Sequence, residues 1–276
     1  MSRFAHAFGP GRSEATYVPH AFPEQTFDTG EVRMNYAVAG SPEKPALLLV
    51  PGQSESWWGY ERGCRSSPST SRPSPWTCAG RGAYAKPGQI RGAHYEDPPL
   101  SASESNTSCG PSLHQAIGPV FALWSKYLAD QWSLGDWDGM LAAVPRELPP
   151  WLAALFSAMT GAEPPQNLKE YDPEWARAFS TGTVAASCDH ARMLASVKVP
   201  VLLTHHFRRI DETGQLMGAL SDVQAARVRE LVASAGCRID YRSLPSMGHS
   251  LHGQDPALFA SILAGWTASL PDYTAP

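Results

Sequence analysis

Apolar residues recur along this chain in two rhythms. TFDTGEVRMNYAVAGS alternates on either side of Thr29-Gly30 and predicts a β-hairpin. PALLLV is wholly apolar, stops at Pro51-Gly52 and predicts a short strand buried on both faces. The same pattern, a short strand-like run ending in polar or turn residues, returns in GQIRGAHYEDPP, VKVPVLLTHH and CRIDYRSLP. Helical patterns lie between and after these runs. SDVQAARVRELVASAG opens on Ser221 and Asp222, places Val223, Val228, Leu231 and Val232 at helical spacing and closes on Gly236. DPALFASILAGWTASL supplies a last amphipathic helix. Strands alternating with helices predict a parallel sheet covered on both faces, whose chemistry gathers at the carboxyl ends of the strands. Here those ends are Pro51–Gln53, Glu96–Pro98, His205–Asp211 and Met247–His249.

Two segments break the pattern. From Leu100 to about Ser187 the texture is aromatic, with Trp124, Trp132, Trp137, Trp151 and Trp175 beside Phe121, Tyr127, Phe156 and Phe179. This predicts a helical cap over 100–187, inserted between core segments 22–99 and 188–272, with most of the aromatics forming its own core and at least one facing a pocket. Arg62 to Gly82 contains no Leu, Val, Ile, Met or Phe. So much Ser, Pro, Arg and Gly cannot bury enough apolar surface to offset its ordering entropy, so this stretch is expected to be disordered by itself.

Composition narrows the field. The chain has 276 residues, 43% hydrophobic and 17% charged, with a net charge of -4, which describes a globular protein of one large domain or two small ones. Without Lys/Arg blocks it points away from nucleic acid or anionic membrane and toward a small molecule. No apolar run approaches the ~20 residues of a membrane span, and the N-terminal stretch has no secretory h-region, so a cytoplasmic protein is expected. The five cysteines, Cys64, Cys78, Cys109, Cys188 and Cys237, include no C-x-x-C pair and read as free thiols. His205-His206 invites a metal reading with His249 or Asp211, but lacks an H-x-x-H-type pattern, so the structural reading is preferred and neither metal nor cofactor is expected.

SMGHSL follows a strand-like run and precedes a helix, which is where the general base of an α/β-hydrolase sits. With LLLVPGQ as the first oxyanion strand and PVLLTHH before the last helix pair, the order of elements matches that fold. More narrowly, LLLVPGQSESWW, YEDPP, NLKEYDPEWARAF, VPVLLTHHFRRID and MGHSLH make the chain resemble the zearalenone lactonases, from about Phe22 to Tyr60 and from Tyr84 to Leu270. The resemblance implies an α/β-hydrolase fold and serine-type hydrolysis of a carboxylic ester or lactone with water and no cofactor. It implies a small aromatic lactone or ester as partner and leaves a homodimer open. Glu96 becomes the triad acid, with Asp211 as runner-up, and His249 the base. The Gln53 amide becomes an oxyanion donor, and Trp175 the cap residue that packs on the lactone.

The family's G-x-S-x-G nucleophile elbow is absent from this sequence. A single βαβ unit takes ~30 residues, so the anomalous interval 61–83 cannot hold both units the fold requires there, and the sheet is expected to be incomplete. Back-translated with GC-rich codons, WTCAGRG becomes TGG-ACC-TGC-GCG-GGC-AGG-GGC, which read from its third base encodes D-L-R-G-Q-G, the end of a hydrolase's fourth strand. The segment looks like hydrolase coding sequence translated out of frame and rejoining near Tyr84, with a Ser/Pro linker as the alternative. Ser54, in GQSES, is a minor nucleophile candidate because Gly52-Gln53-Ser54 already occupies the oxyanion loop. Two functions therefore stand: a hydrolase by descent, inactive or impaired, and a non-catalytic ligand-binding relative that keeps the cap pocket.

Overall fold

In chain order, the elements begin with strands β1 (Glu24–Asp28), β2 (Arg33–Ala39) and β3 (Ala46–Leu48), then helix α1 (Glu61–Arg65) and strands β4 (Thr77–Ala79) and β5 (Ala93–Glu96). Helices α2 (Leu113–Tyr127), α3 (Trp137–Glu147), α4 (Pro150–Met159), α5 (Pro173–Thr181) and α6 (His190–Ala195) follow. The chain then forms β6 (Val201–His205), β7 (Arg208–Ile210), β8 (Leu216–Gly218), α7 (Asp222–Ser234), β9 (Ile239–Ser243), α8 (Leu251–Gln254) and α9 (Pro256–Ala268). This computed structural model describes residues 22–28, 30, 33–39, 46–50, 57–65, 77–79, 92–100, 113–128, 135–159, 173–183, 189–212 and 214–271. They fall into two units, one drawn from 20–98, 194–207 and 228–276, the other including 99–193 and 208–227.

In the first unit the expected hairpin forms, β1 pairing antiparallel with β2 and Asp28 Oδ1 accepting the Gly30 amide at 2.7 Å. β2 pairs antiparallel with β4, which pairs in parallel with β3, giving the order β1-β2-β4-β3. β4 corrects the expectation for Arg62–Gly82. Thr77, Cys78 and Ala79 form a strand, and Glu61–Arg65 form a short helix at the segment's start. A ladder is made of backbone N–H and C=O groups, so a three-residue stretch free of proline can occupy a slot between two strands without an apolar pattern.

The second sheet of this unit is wholly parallel, in the order β5-β6-β9, with Glu96 opposite Thr204 and Thr204 opposite Arg242. Every residue of β6 is buried, as expected for the central strand of a parallel sheet. Leu202 packs in a core with Leu251, Phe259, Leu263 and Trp266. Gly92 admits this packing, since a Cβ there would lie 2.6 Å from Trp266 Cη2 and 3.2 Å from the Pro200 carbonyl. Asp255 caps α9, accepting the Leu258 amide at 2.9 Å, and Pro256 fills its first turn. Among the described residues β3 and β5 lie in different sheets, which agrees with an incomplete sheet.

The other unit is largely helical. Val120, Phe121, Leu123, Trp137, Met140 and Phe179 lie in its core, with Trp124 and Trp151 packed against them. Trp132 lies outside the described residues. The unit also contains the antiparallel β7–β8 hairpin, so part of the presumed strand end His205–Asp211 is a separate two-stranded ribbon. Val223, expected on the apolar face of α7, is exposed, whereas Val228 and Val232 are buried. No helix among the described residues is long and apolar enough to cross a membrane.

Ser221 and Gln224 form a reciprocal capping box at the start of α7. Gln224 Oε1 accepts the Ser221 amide at 2.9 Å, and Ser221 Oγ accepts the Gln224 amide at 3.1 Å. Ser221→Ala is therefore expected to cost about 1 kcal/mol, measured as a lowered urea midpoint at unchanged m-value.

Candidate active site

The carboxyl ends of β5, β6 and β9 bring together Glu96, Asp97, His206, His249 and His252. His94 and Glu96 are two apart on β5 and share one face of the strand. Asp97 donates one more ladder bond, from its amide to the Thr204 carbonyl at 2.8 Å, and then turns the chain with φ of 40°. Positive φ is costly for most side chains, Asp and Asn being among the better tolerated. Pro98 and Pro99 follow and have no amide hydrogen with which to extend the strand.

The turn delivers a buried carboxylate, 1% exposed. Asp97 Oδ1 accepts the His206 amide at 3.0 Å, and Oδ2 lies 2.9 Å from His249 Nδ1. A carboxylate accepts at this contact, so Nδ1 carries a proton and, in the neutral ring, Nε2 is the nitrogen with the lone pair. The His249 ring is 57% exposed, open to a reactant on a rigid support. His206 secures that support from below, its Nδ1 lying 2.9 Å from the Gly248 carbonyl and 3.0 Å from that of His249.

Glu96, expected beside His249, is placed beside His252 instead. His252 Nδ1 lies 2.9 Å from both carboxylate oxygens, and the His252 amide donates to Oε1 at 3.0 Å. The His252 ring is buried against Tyr60, with centroids 4.1 Å apart, and meets Phe259 edge-on. Strand geometry explains the exchange. Glu96 points to the face it shares with His94, toward Phe259 and His252, while the left-handed turn at Asp97 sends the next carboxylate past the strand end.

The other expected residues are placed as follows. Asp211 Oδ1 accepts the Gln215 amide at 2.9 Å and closes the β7–β8 hairpin. His205 Nδ1 lies 2.8 Å from the Tyr241 hydroxyl, whose ring is covered by the Arg229 guanidinium at 5.0 Å. Trp175, in the helical unit, is 45% exposed on α5, while Ala176 and Phe179 of the same helix are buried. Gln53 and Ser54 lie outside the described residues. Asp97 and His252 were missed by sequence reasoning, although the doublet Glu96-Asp97 and the H-x-x-H spacing of His249 and His252 in GHSLH signalled two acid–base pairs.

The structure of the Cif epoxide hydrolase from Acinetobacter nosocomialis is similar to this chain with a TM-score of 0.54 at 13% identity, covering 91% of this chain and 91% of that one. Haloalkane dehalogenase DbeA from Bradyrhizobium elkani USDA94 is similar with a TM-score of 0.52 at 15% identity, covering 90% and 98%. The chain has the α/β-hydrolase fold. No family model and no curated protein sequence matches it. Within an α/β-hydrolase sheet, the Asp97–His249 pair occupies the strand ends where such folds assemble their chemistry.

The electrostatics of the cluster set a pH dependence. Burial lowers the His94 pKa to about 4, with nearby His206 and His252 adding to the effect and Glu96 opposing it. Burial pushes the Glu96 carboxyl up, but the hydrogen bonds and charge of His252, with His94, outweigh it and hold the carboxyl below its usual range. Unfolded, His94 takes a proton near pH 6.5 that the folded ring refuses until about 4. Stability is therefore expected to fall as pH drops through that window, and the Glu96 contribution to follow at still lower pH. Urea midpoints measured between pH 7 and pH 4 check this, and His94→Gln should flatten the slope.

Proposed function

We propose that this chain is, by descent, a carboxylic-ester or lactone hydrolase of the zearalenone-lactonase type, with His249 as general base and Asp97 as the carboxylate that orients it. For want of a G-x-S-x-G elbow its turnover is impaired. The 2.9 Å Asp97–His249 contact at the ends of β5 and β9, on either side of β6, carries this reading. With Nδ1–H held by Asp97, His249 Nε2 takes the proton of a hydroxyl or water attacking the ester carbonyl and returns it to the departing alkoxide. Asp97 stabilises the imidazolium formed between those steps. Asp97 thus replaces Glu96 in the acid role, and Asp211 serves its hairpin.

Hydrolysis of an activated aryl ester is expected to be slow and to reach the buffer rate in both His249→Ala and Asp97→Asn, with Asp211→Asn unchanged. Asn is the substitution of choice at 97 because it also tolerates the left-handed backbone. Zearalenone opening, followed by product formation, should stay at background. Opening that is abolished by Ser54→Ala would make Ser54 the nucleophile, and aryl-ester hydrolysis indifferent to His249→Ala would remove the pair from the chemistry.

A second reading, a ligand-binding relative that has lost catalysis, is favoured by the exposed indole of Trp175. Such a surface stacks on planar aromatic lactones. Trp175→Ala should weaken zearalenone binding about tenfold by calorimetry, and equal affinity in parent and variant would end this reading.

A further inference from the structure

His206 touches both partners of the Asp97–His249 contact. The residue is fully buried, and its ring Nδ1 lies 2.9 Å from the Gly248 carbonyl and 3.0 Å from the His249 carbonyl. A carbonyl only accepts, so this Nδ1 carries the proton and shares it between the two oxygens. The backbone amide of the same residue donates to Asp97 Oδ1 at 3.0 Å. We infer that His206 is the positioning residue of the acid–base pair: it aims the His249 side chain, turns the Asp97 carboxylate to meet it, and so selects the His249 tautomer whose Nε2 is free to act as a base. This rests on the hydrolase reading for its kinetic consequence alone.

The Gly248 and His249 carbonyls belong to the two peptide planes that meet at the His249 Cα. Each plane is rigid, so holding the one before and the one after fixes the two dihedrals between them, and with them the direction of the Cα–Cβ bond. Neighbouring bonds hold the same turn. The Phe207 amide donates to the Met247 carbonyl at 2.9 Å, and Gln254 Oε1 accepts the Gly248 amide at 2.6 Å. A ring that is 57% exposed has little packing to hold it, so its aim depends on the backbone beneath it and on Asp97. On the acid side, the His206 amide takes Oδ1 and leaves Oδ2 for the ring, 2.9 Å from His249 Nδ1. One residue at the end of β6 thus sets both ends of that contact.

Tautomer choice follows from aim. In a neutral imidazole the hydrogen bond made by one nitrogen decides which of the two carries the proton. With Oδ2 against Nδ1 the proton stays there and Nε2 presents its lone pair. With the ring swung off Asp97 that bond is lost, the Nε2–H form gains population, and a ring in that form has no base at the reacting position. A misplacement on the order of 1 Å costs about 100-fold in rate. His206 is enclosed and contacts no substrate, so the loss is expected in kcat and not in KM.

Two variants of the full chain test the assignment. His206→Asn keeps an N–H where the ring Nδ1 stands, one bond beyond Cγ, whereas His206→Gln carries its N–H one bond further out. Imidazole nitrogen NMR on histidine-labelled protein at about pH 8, above the ordinary histidine range, reads the tautomer, with the His249 signals assigned by their loss in His249→Ala. The parent and His206→Asn are expected to show His249 in the Nδ1–H form, and His206→Gln a mixture of both forms. Turnover of para-nitrophenyl acetate should fall at least tenfold in kcat in His206→Gln, with KM within twofold, and recover in His206→Asn. His206→Leu, which has no donor, gives the same comparison should His206→Gln not fold. A parent-like spectrum in the donorless or displaced-donor variant, or a mixture in His206→Asn, would overturn the proposal. Turnover that needs His249 but is indifferent to His206, with an unchanged spectrum, would sink this inference and leave the proposed function standing. A tautomer that depends on His206 alongside turnover indifferent to His249 would do the reverse.

Discussion

One buried carboxylate holds the candidate site together. Asp97 ends β5, accepts the amide that follows β6 and holds the imidazole that follows β9, so the positions of three strand ends relative to one another pass through its two oxygens. A carboxylate that is 1% exposed is costly unless its lone pairs are filled, and here a backbone amide and a ring N–H fill them. The left-handed backbone at Asp97 is part of the same arrangement. A conventional strand continuation would carry the side chain along the sheet face instead of past its edge, and the strain is borne by a residue type that tolerates it.

The neighbouring pair is built on the opposite logic. Glu96 stays within the strand's alternation, on the face it shares with His94, and meets a histidine that is buried and stacked. Two carboxylates one residue apart thus serve two histidines three residues apart, one ring exposed and one enclosed. Exposure leaves the His249 ring open to solvent. Enclosure strengthens the Glu96–His252 interaction by lowering the local dielectric.

Much of this was legible in the sequence because it depends on local pattern. The β1–β2 hairpin, β6 as a continuous apolar run, the capping of α7 by Ser221 and the turn bearing His249 all follow from residues within one window. Which carboxylate meets His249 was not legible at single-residue resolution. Glu96 and Asp97 are chemically alike, and only the reversal of φ at Asp97, reinforced by two prolines, decides which carboxylate leaves the strand. The β7–β8 ribbon escaped because FRRIDETGQLMG carries no strong alternation, its turn being held by the Asp211 side chain accepting the Gln215 amide.

β4 shows most sharply where composition stops informing. Its three residues sit in a segment rich in Ser, Pro and Arg, yet they pair with β2 on one side and β3 on the other. Burying their backbone groups between two strands satisfies donors and acceptors that β2 and β3 would otherwise expose along their edges, a gain that does not require apolar side chains. In the other sheet all of β6 is buried and Leu202, Leu251, Phe259, Leu263 and Trp266 pack together. That sheet also carries Asp97 and the contacts to His206 and His249. A cavity under β6 would therefore act on the strand whose end positions His206 and, through Asp97, His249.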